Sequence, residues 1–200
     1  MSDIRPLMEV WRSDLSHLQE TFEERAEIYQ GSLLRVVKDS VRLAGELRAT
    51  REMILHPGAV MVIPLMSDGR VLVEIQHRYP LGETIIEFPA GKVDPGEERF
   101  VAAQRELREE TGFTAQRWAY AGKVAMAAGY SDERIDMWLA SDLSPGNSDL
   151  DEGELLELCV ANIDELMTLA QQGAITDSKT LAGLWWLARW QSGQWHPEWR

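Results

Sequence analysis

GKVDPGEERFVAAQRELREETGF, residues 91–113, decides how the rest of the chain is read. Its second half has the spacing of an amphipathic helix. Asp94 and Pro95 offer a cap and a helix-starting proline, with Glu97 where a capping-box acid would stand. Gly112 suits the left-handed position that ends a helix after Thr111. At 100° per residue, Phe100, Ala103 and Leu107 share one side. Glu106, Glu109 and Glu110 share the other.

That acidic side has two readings. Ionised carboxylates roughly 6 Å apart repel by about 3 kcal/mol at an effective dielectric near 20. In open water the repulsion fades and the face is a solvated helix side. Lining a cleft, it needs a cation, and carboxylate oxygens favour Mg²⁺ or Mn²⁺ over softer metals.

The whole stretch favours the cleft. Gly91, five residues, Glu97, seven residues and then Arg105-Glu106-Leu107-x-Glu109-Glu110-x-Gly112 resembles the complete signature of the Nudix hydrolases. Chance would produce seven such fixed residues with a probability on the order of 10⁻⁸ per starting point. The resemblance implies an α/β/α sandwich (α+β in composition) with a mixed sheet over about residues 56–191. It also implies metal ligation by Glu106 and Glu110, with Glu109 sharing and the carbonyl of Ala90 adding an oxygen. Arg105 is expected to orient a glutamate through a charge-assisted pair, and Glu97 to be structural or outer-shell.

Within the family the chain most resembles the ADP-ribose pyrophosphatase branch. Glu87-Phe88-Pro89-Ala90-Gly91-Lys92 is very like that branch's approach to the signature. An N-terminal strand-rich region and the acidic stretch Asp151-Glu152-Gly153-Glu154 extend the match. The resemblance implies Mg²⁺-dependent cleavage of ADP-ribose to AMP and ribose 5-phosphate. Glu152 is then the candidate general base and Glu154 an added metal ligand. Glu133 competes for the base role or contacts the terminal ribose. Arg78 is expected at a phosphate, and Tyr29 (with Trp11 second) at the adenine. A proline common in the branch is missing where this chain has Ala127-Ala128-Gly129, which leaves other nucleoside diphosphate derivatives open. A nucleotide sensor that cleaves nothing would be expected to lack a signature glutamate or to carry a DNA-binding appendage; the chain shows neither.

Around the signature, residues 1–55 read as an arm followed by three or four antiparallel strands, broken at Gly31, Asp39 and Gly45. So small a meander needs a partner surface, and the resemblance makes that a homodimer whose N-terminal strands also complete the substrate pocket. Residues 56–200 form the hydrolase domain. Ser67-Asp68-Gly69 reads as a hairpin turn, residues 141–153 as a loop, and Asp177-Ser178 as the start of a last helix. Five of the eight tryptophans follow residue 184, and Trp185, Trp186 and Trp190 are expected to pack that helix.

Composition bounds the partners. Twenty basic against thirty-three acidic residues give a net charge of −13, which argues against nucleic acid and anionic membrane. Cys159 is the single cysteine, expected as a buried thiol in a reducing cytoplasm. No run of eighteen apolar residues exists and the N-terminus has no signal-peptide core, so a soluble cytoplasmic protein is expected.

Overall fold

Strand β4, Ala59–Pro64, is buried at all six positions. Its alternate side chains enter different cores: Ala59, Met61 and Ile63 one, Val60 and Val62 the other. A strand covered on both faces needs this continuous apolar run rather than an apolar–polar alternation. The computed structural model, which describes residues 4–200, places β4 at the heart of a mixed sheet. β9 (Arg134–Pro145) runs parallel to it, and β7 (Ala90–Lys92) antiparallel on the other side. β8 (Phe113–Ala125) pairs antiparallel with β9.

Helix α2, Arg99–Thr111, covers one face of this sheet through Ala102, Ala103 and Leu107. The other face meets α3 (Ile163–Gln171) and α4 (Ser178–Gln191) through Leu166, Leu184 and Leu187. A second sheet joins that core: β5 (Val71–Arg78) lies between β10 (Leu156–Ala161) and β6 (Glu83–Glu87), antiparallel to both. Val71, Val73 and Ala161 are its buried contributions. The α/β/α arrangement with a mixed sheet is therefore present.

The chain divides into two compact units, the one just described and another formed by the residues up to His56 with Ala127–Asp132. In the latter, β1 (Thr21–Gln30), β2 (Arg35–Arg42) and β3 (Arg48–Leu55) form an antiparallel meander. Loop 127–132 is tied to β3: the Ile54 amide donates to the Tyr130 carbonyl at 2.8 Å. Before the strands, α1 (Leu7–Trp11) buries no residue.

Several local expectations need correction. Asp94 and Pro95 do not start the helix, whose N-cap is Glu98. Residues 94–97 instead form a tight turn, closed by the Glu97 amide on the Asp94 carbonyl at 3.0 Å with Gly96 at φ 82°. Pro at the second place and a left-handed Gly at the third suit such a turn better than a helix. Gly112 does end the helix, at φ 72°. Asp39 breaks no strand; it sits within β2, where Arg25 Nε and Nη2 reach its carboxylate at 2.7 and 2.6 Å. Residues 141–145 are strand rather than loop, because the first residues of β8 pair with them as far as Phe113 opposite Pro145. Cys159 is half-buried against the core, on a strand whose Glu157, Leu158 and Val160 face solvent. Trp186 and Trp190 pack on the core, but Trp185 is 52% exposed and lies edge-on to Trp186.

Candidate active site

Once the apolar stripe of α2 is spent on the sheet, its glutamates face the segment that precedes the helix. Glu106 and Glu110 are only 8% and 5% exposed. Glu110 accepts a hydrogen bond from the Ala90 amide at 2.9 Å, which ties the helix to β7. Gly91 is required next door: a Cβ there would stand 2.1 Å from the Glu106 carboxyl carbon. The glycine is thus explained by close approach, not by its backbone angle.

Arg105 organises the acids. Its Nε and Nη2 each bond Glu97 at 2.9 Å, and Nη2 also reaches the Lys92 carbonyl at 2.9 Å. Nη1 donates to Glu106 at 2.8 Å and to Glu109 at 3.1 Å. Glu97 in turn accepts from the Asp94 amide at 3.0 Å. The turn, the arginine and two helix glutamates form one connected network. Bidentate pairing with Glu97 fixes the guanidinium plane, so its other edge can aim the two acids.

A cavity of about 300 Å³ opens on this network, walled by Arg105, Glu106, Glu109 and Glu110, with Asp94, Asp151 and Glu154 completing it. Glu154 is held by Gln76 Nε2 at 3.3 Å. Glu152, between Asp151 and Glu154, is exposed and does not line the cavity. Glu133, half-buried just before β9, does not line it either. Arg78 ends β5, where its Nε binds Glu87 at 2.7 Å. Tyr29 and Trp11 are exposed residues of the N-terminal unit.

The carboxylates strain one another. Burial, opposed by the adjacent Arg105, moves Glu106 up to about 6. Glu110 is pushed well above the glutamate range by burial and then by Glu74, Glu106 and Glu154. Glu74 is raised by burial and then by Glu87 and Glu154. Hard oxygen donors whose charge is only partly compensated suit Mg²⁺ or Mn²⁺. Among the described residues no three acids, histidines or cysteines are gathered into ion-holding geometry, and three of the acids here are bonded to Arg105 instead.

Sequence reading missed Glu74, Gln76, Glu87 and Lys179. Glu74 and Glu87 are paired across β5 and β6, and Lys179 of α4 binds Glu87. A signal existed: an acid inside the apolar run 71–75 is out of place in a buried strand.

Residues 55–184 match the NUDIX domain family. The chain is 34% identical over 172 residues to a methanol dehydrogenase activator from Bacillus methanolicus, covering 83% of this chain and 93% of the relative. It is 32% identical over 175 residues to an ADP-ribose pyrophosphatase from Bacillus subtilis, covering 86% and 95%. Among solved structures, an ADP compounds hydrolase at 26% identity has a TM-score of 0.78, with 88% of this chain and 97% of that one covered.

Proposed function

The chain belongs to the NUDIX family, and on that premise we propose that it hydrolyses the diphosphate of ADP-ribose to AMP and ribose 5-phosphate. The observation that carries the reading is the acid-walled cavity, in which Glu106 and Glu110 are buried and Glu110 faces the charge of Glu106. An ADP-ribose pyrophosphatase at 32% identity over most of both chains supports the same substrate.

Mg²⁺, with Mn²⁺ as a substitute, would be held by Glu106 and Glu110, with Glu109, Glu154 and the Ala90 carbonyl as further oxygens. When bound, such an ion neutralises phosphate charge and makes water a better nucleophile. Arg105 keeps Glu106 and Glu109 turned toward the cavity, and Glu97 anchors Arg105. Glu152 takes the proton of the attacking water at its carboxylate. It is favoured over Glu133 because its neighbours Asp151 and Glu154 line the cavity. An exposed turn can bring it in once substrate is bound. Arg78 contacts a phosphate.

The same reading includes a homodimer through the N-terminal strands, with Tyr29 against the adenine. Phe22, Ile28 and Tyr29 on β1 are each more than half exposed, which supports a covered surface there. Sedimentation should give a dimer; an active monomer would remove this part. A cytoplasmic location completes the proposal; among the described residues no helix is long and apolar enough to cross a membrane.

A second reading keeps the chemistry and changes the substrate to another nucleoside diphosphate derivative. The proline missing at Ala127-Ala128-Gly129 favours it. Comparing kcat/KM for ADP-ribose, ADP-glucose, GDP-mannose, NADH and dinucleoside polyphosphates, with and without Mg²⁺, separates the two. ADP-ribose should lead and chelation should abolish turnover. A different leading substrate would replace the first reading with the second, and turnover indifferent to chelation would remove both.

A further inference from the structure

β5 carries an acid that the proposed reaction does not use. Glu74 is 1% exposed and stands directly opposite Glu87 on β6. Like charges in register on neighbouring strands destabilise a sheet unless a cation intervenes. For Glu87 the chain supplies two: Arg78 Nε binds Oε1 at 2.7 Å, and Lys179 Nζ binds Oε2. Glu74 is treated differently. Its Oε1 is buried and has no hydrogen-bond partner, a desolvation cost that the nearby charges of Lys179 and Arg78 offset only in part.

The surroundings say what would offset it. Side chains two apart on a strand share a face. Two residues along from Glu74, Gln76 binds Glu154, which lines the cavity. Glu110, the deepest acid of α2, accepts the amide of Ala90 at 2.9 Å, three residues beyond Glu87, the strand partner of Glu74. A buried, unpartnered carboxylate oxygen thus stands on the strand face that holds one cavity acid, opposite the segment that holds another.

We propose that Glu74 is a further oxygen ligand of the divalent-cation site, extending it from the signature helix to strand β5. The inference rests on the reading above, in which Glu106 and Glu110 hold the ion. It makes the second sheet part of the site rather than only its support. Hard cations accept six or more oxygens, so an added carboxylate needs no change of chemistry.

Mn²⁺ alone serves as probe, its binding followed by loss of the free-ion paramagnetic resonance signal. Wild type, Glu74→Gln and Glu110→Gln are compared without nucleotide. Glu74→Gln should weaken Mn²⁺ binding by about tenfold or more, at least the loss seen when a metal site loses an outer-shell partner. Its melting temperature without cation should stay level or rise, because a buried unpaired acid has been removed. Wild-type affinity in Glu74→Gln, with binding lost in Glu110→Gln, would overturn the inference and leave the site itself standing. Wild-type affinity in both would remove the proposed cation site as well. A lowered cation-free melting temperature with unchanged affinity would make Glu74 structural only. Should Glu74→Gln fail to fold, Glu74→Val, a better strand residue, takes its place in the same comparison.

Discussion

Asp136 and Glu110 are carboxylates of nearly equal burial, 4% and 5% exposed, on the two elements that face each other across one core. The chain treats them in opposite ways. Asp136, on β9, accepts the Tyr120 hydroxyl at 2.7 Å and is ion-paired with Arg99 at 3.0 Å and Lys123 at 3.6 Å. Tyr120 is itself pushed up to about 12 by burial and by that bond. Glu110, on α2, has one backbone amide for a partner and three acids acting on it. Burial therefore does not separate a structural acid from one proposed to hold an ion. What differs between these two is whether the chain itself places cations against the carboxylate.

Replacing each acid is the sharpest way to break this contrast. Glu110→Gln should lower kcat on the order of 10³-fold while the protein still folds, since an isosteric amide removes only charge. Unchanged turnover would remove that residue from the site. Gly91→Ala tests the positioning of its neighbour: the new methyl would displace the Glu106 carboxylate, and kcat should fall on the order of 10²-fold. Circular dichroism should show the fold of that variant unchanged.

Asp136→Asn should do the reverse, costing about 1–3 kcal/mol of stability in denaturant titrations with Mn²⁺ affinity preserved. The lower part of that range applies because Arg99 and Lys123 are 38% and 45% exposed, so solvent screens their loss. The smallest effect is on pH dependence. Glu74, Glu106 and Glu110 hold their protons in the folded protein above the ordinary 4.5, so the folded state binds more protons than the unfolded one. Their contribution is complete below 4.5 and is lost as pH rises, first through about 6 with Glu106 and then as Glu74 and Glu110 ionise. Melting temperatures without cation should therefore decline from about pH 5 to about pH 8, and Mn²⁺ should flatten the decline. A flat cation-free profile would mean that these acids are compensated as Asp136 is.

Much of this was legible before any coordinates. The two faces of α2, its end at Gly112, the turn at Ser67-Asp68-Gly69 and the start of the last helix at Asp177-Ser178 follow from spacing and backbone preference within a few residues. Such features depend on neighbours in the chain, and the chain writes them directly. The family signature is equally local, so the acids of α2 could be named as candidates from residues 91–113 alone.

Other features depended on partners distant in sequence. Asp39 sits in mid-strand because Arg25 neutralises it, and residues 141–145 are strand because β8 reaches them. Above all, nothing local in Glu74 or Glu87 told which would meet a lysine and an arginine and which would be left with a bare buried oxygen. Sequence determined which residues carry charge; only tertiary packing decided which charges are answered, because compensation depends on distances between elements that are remote along the chain.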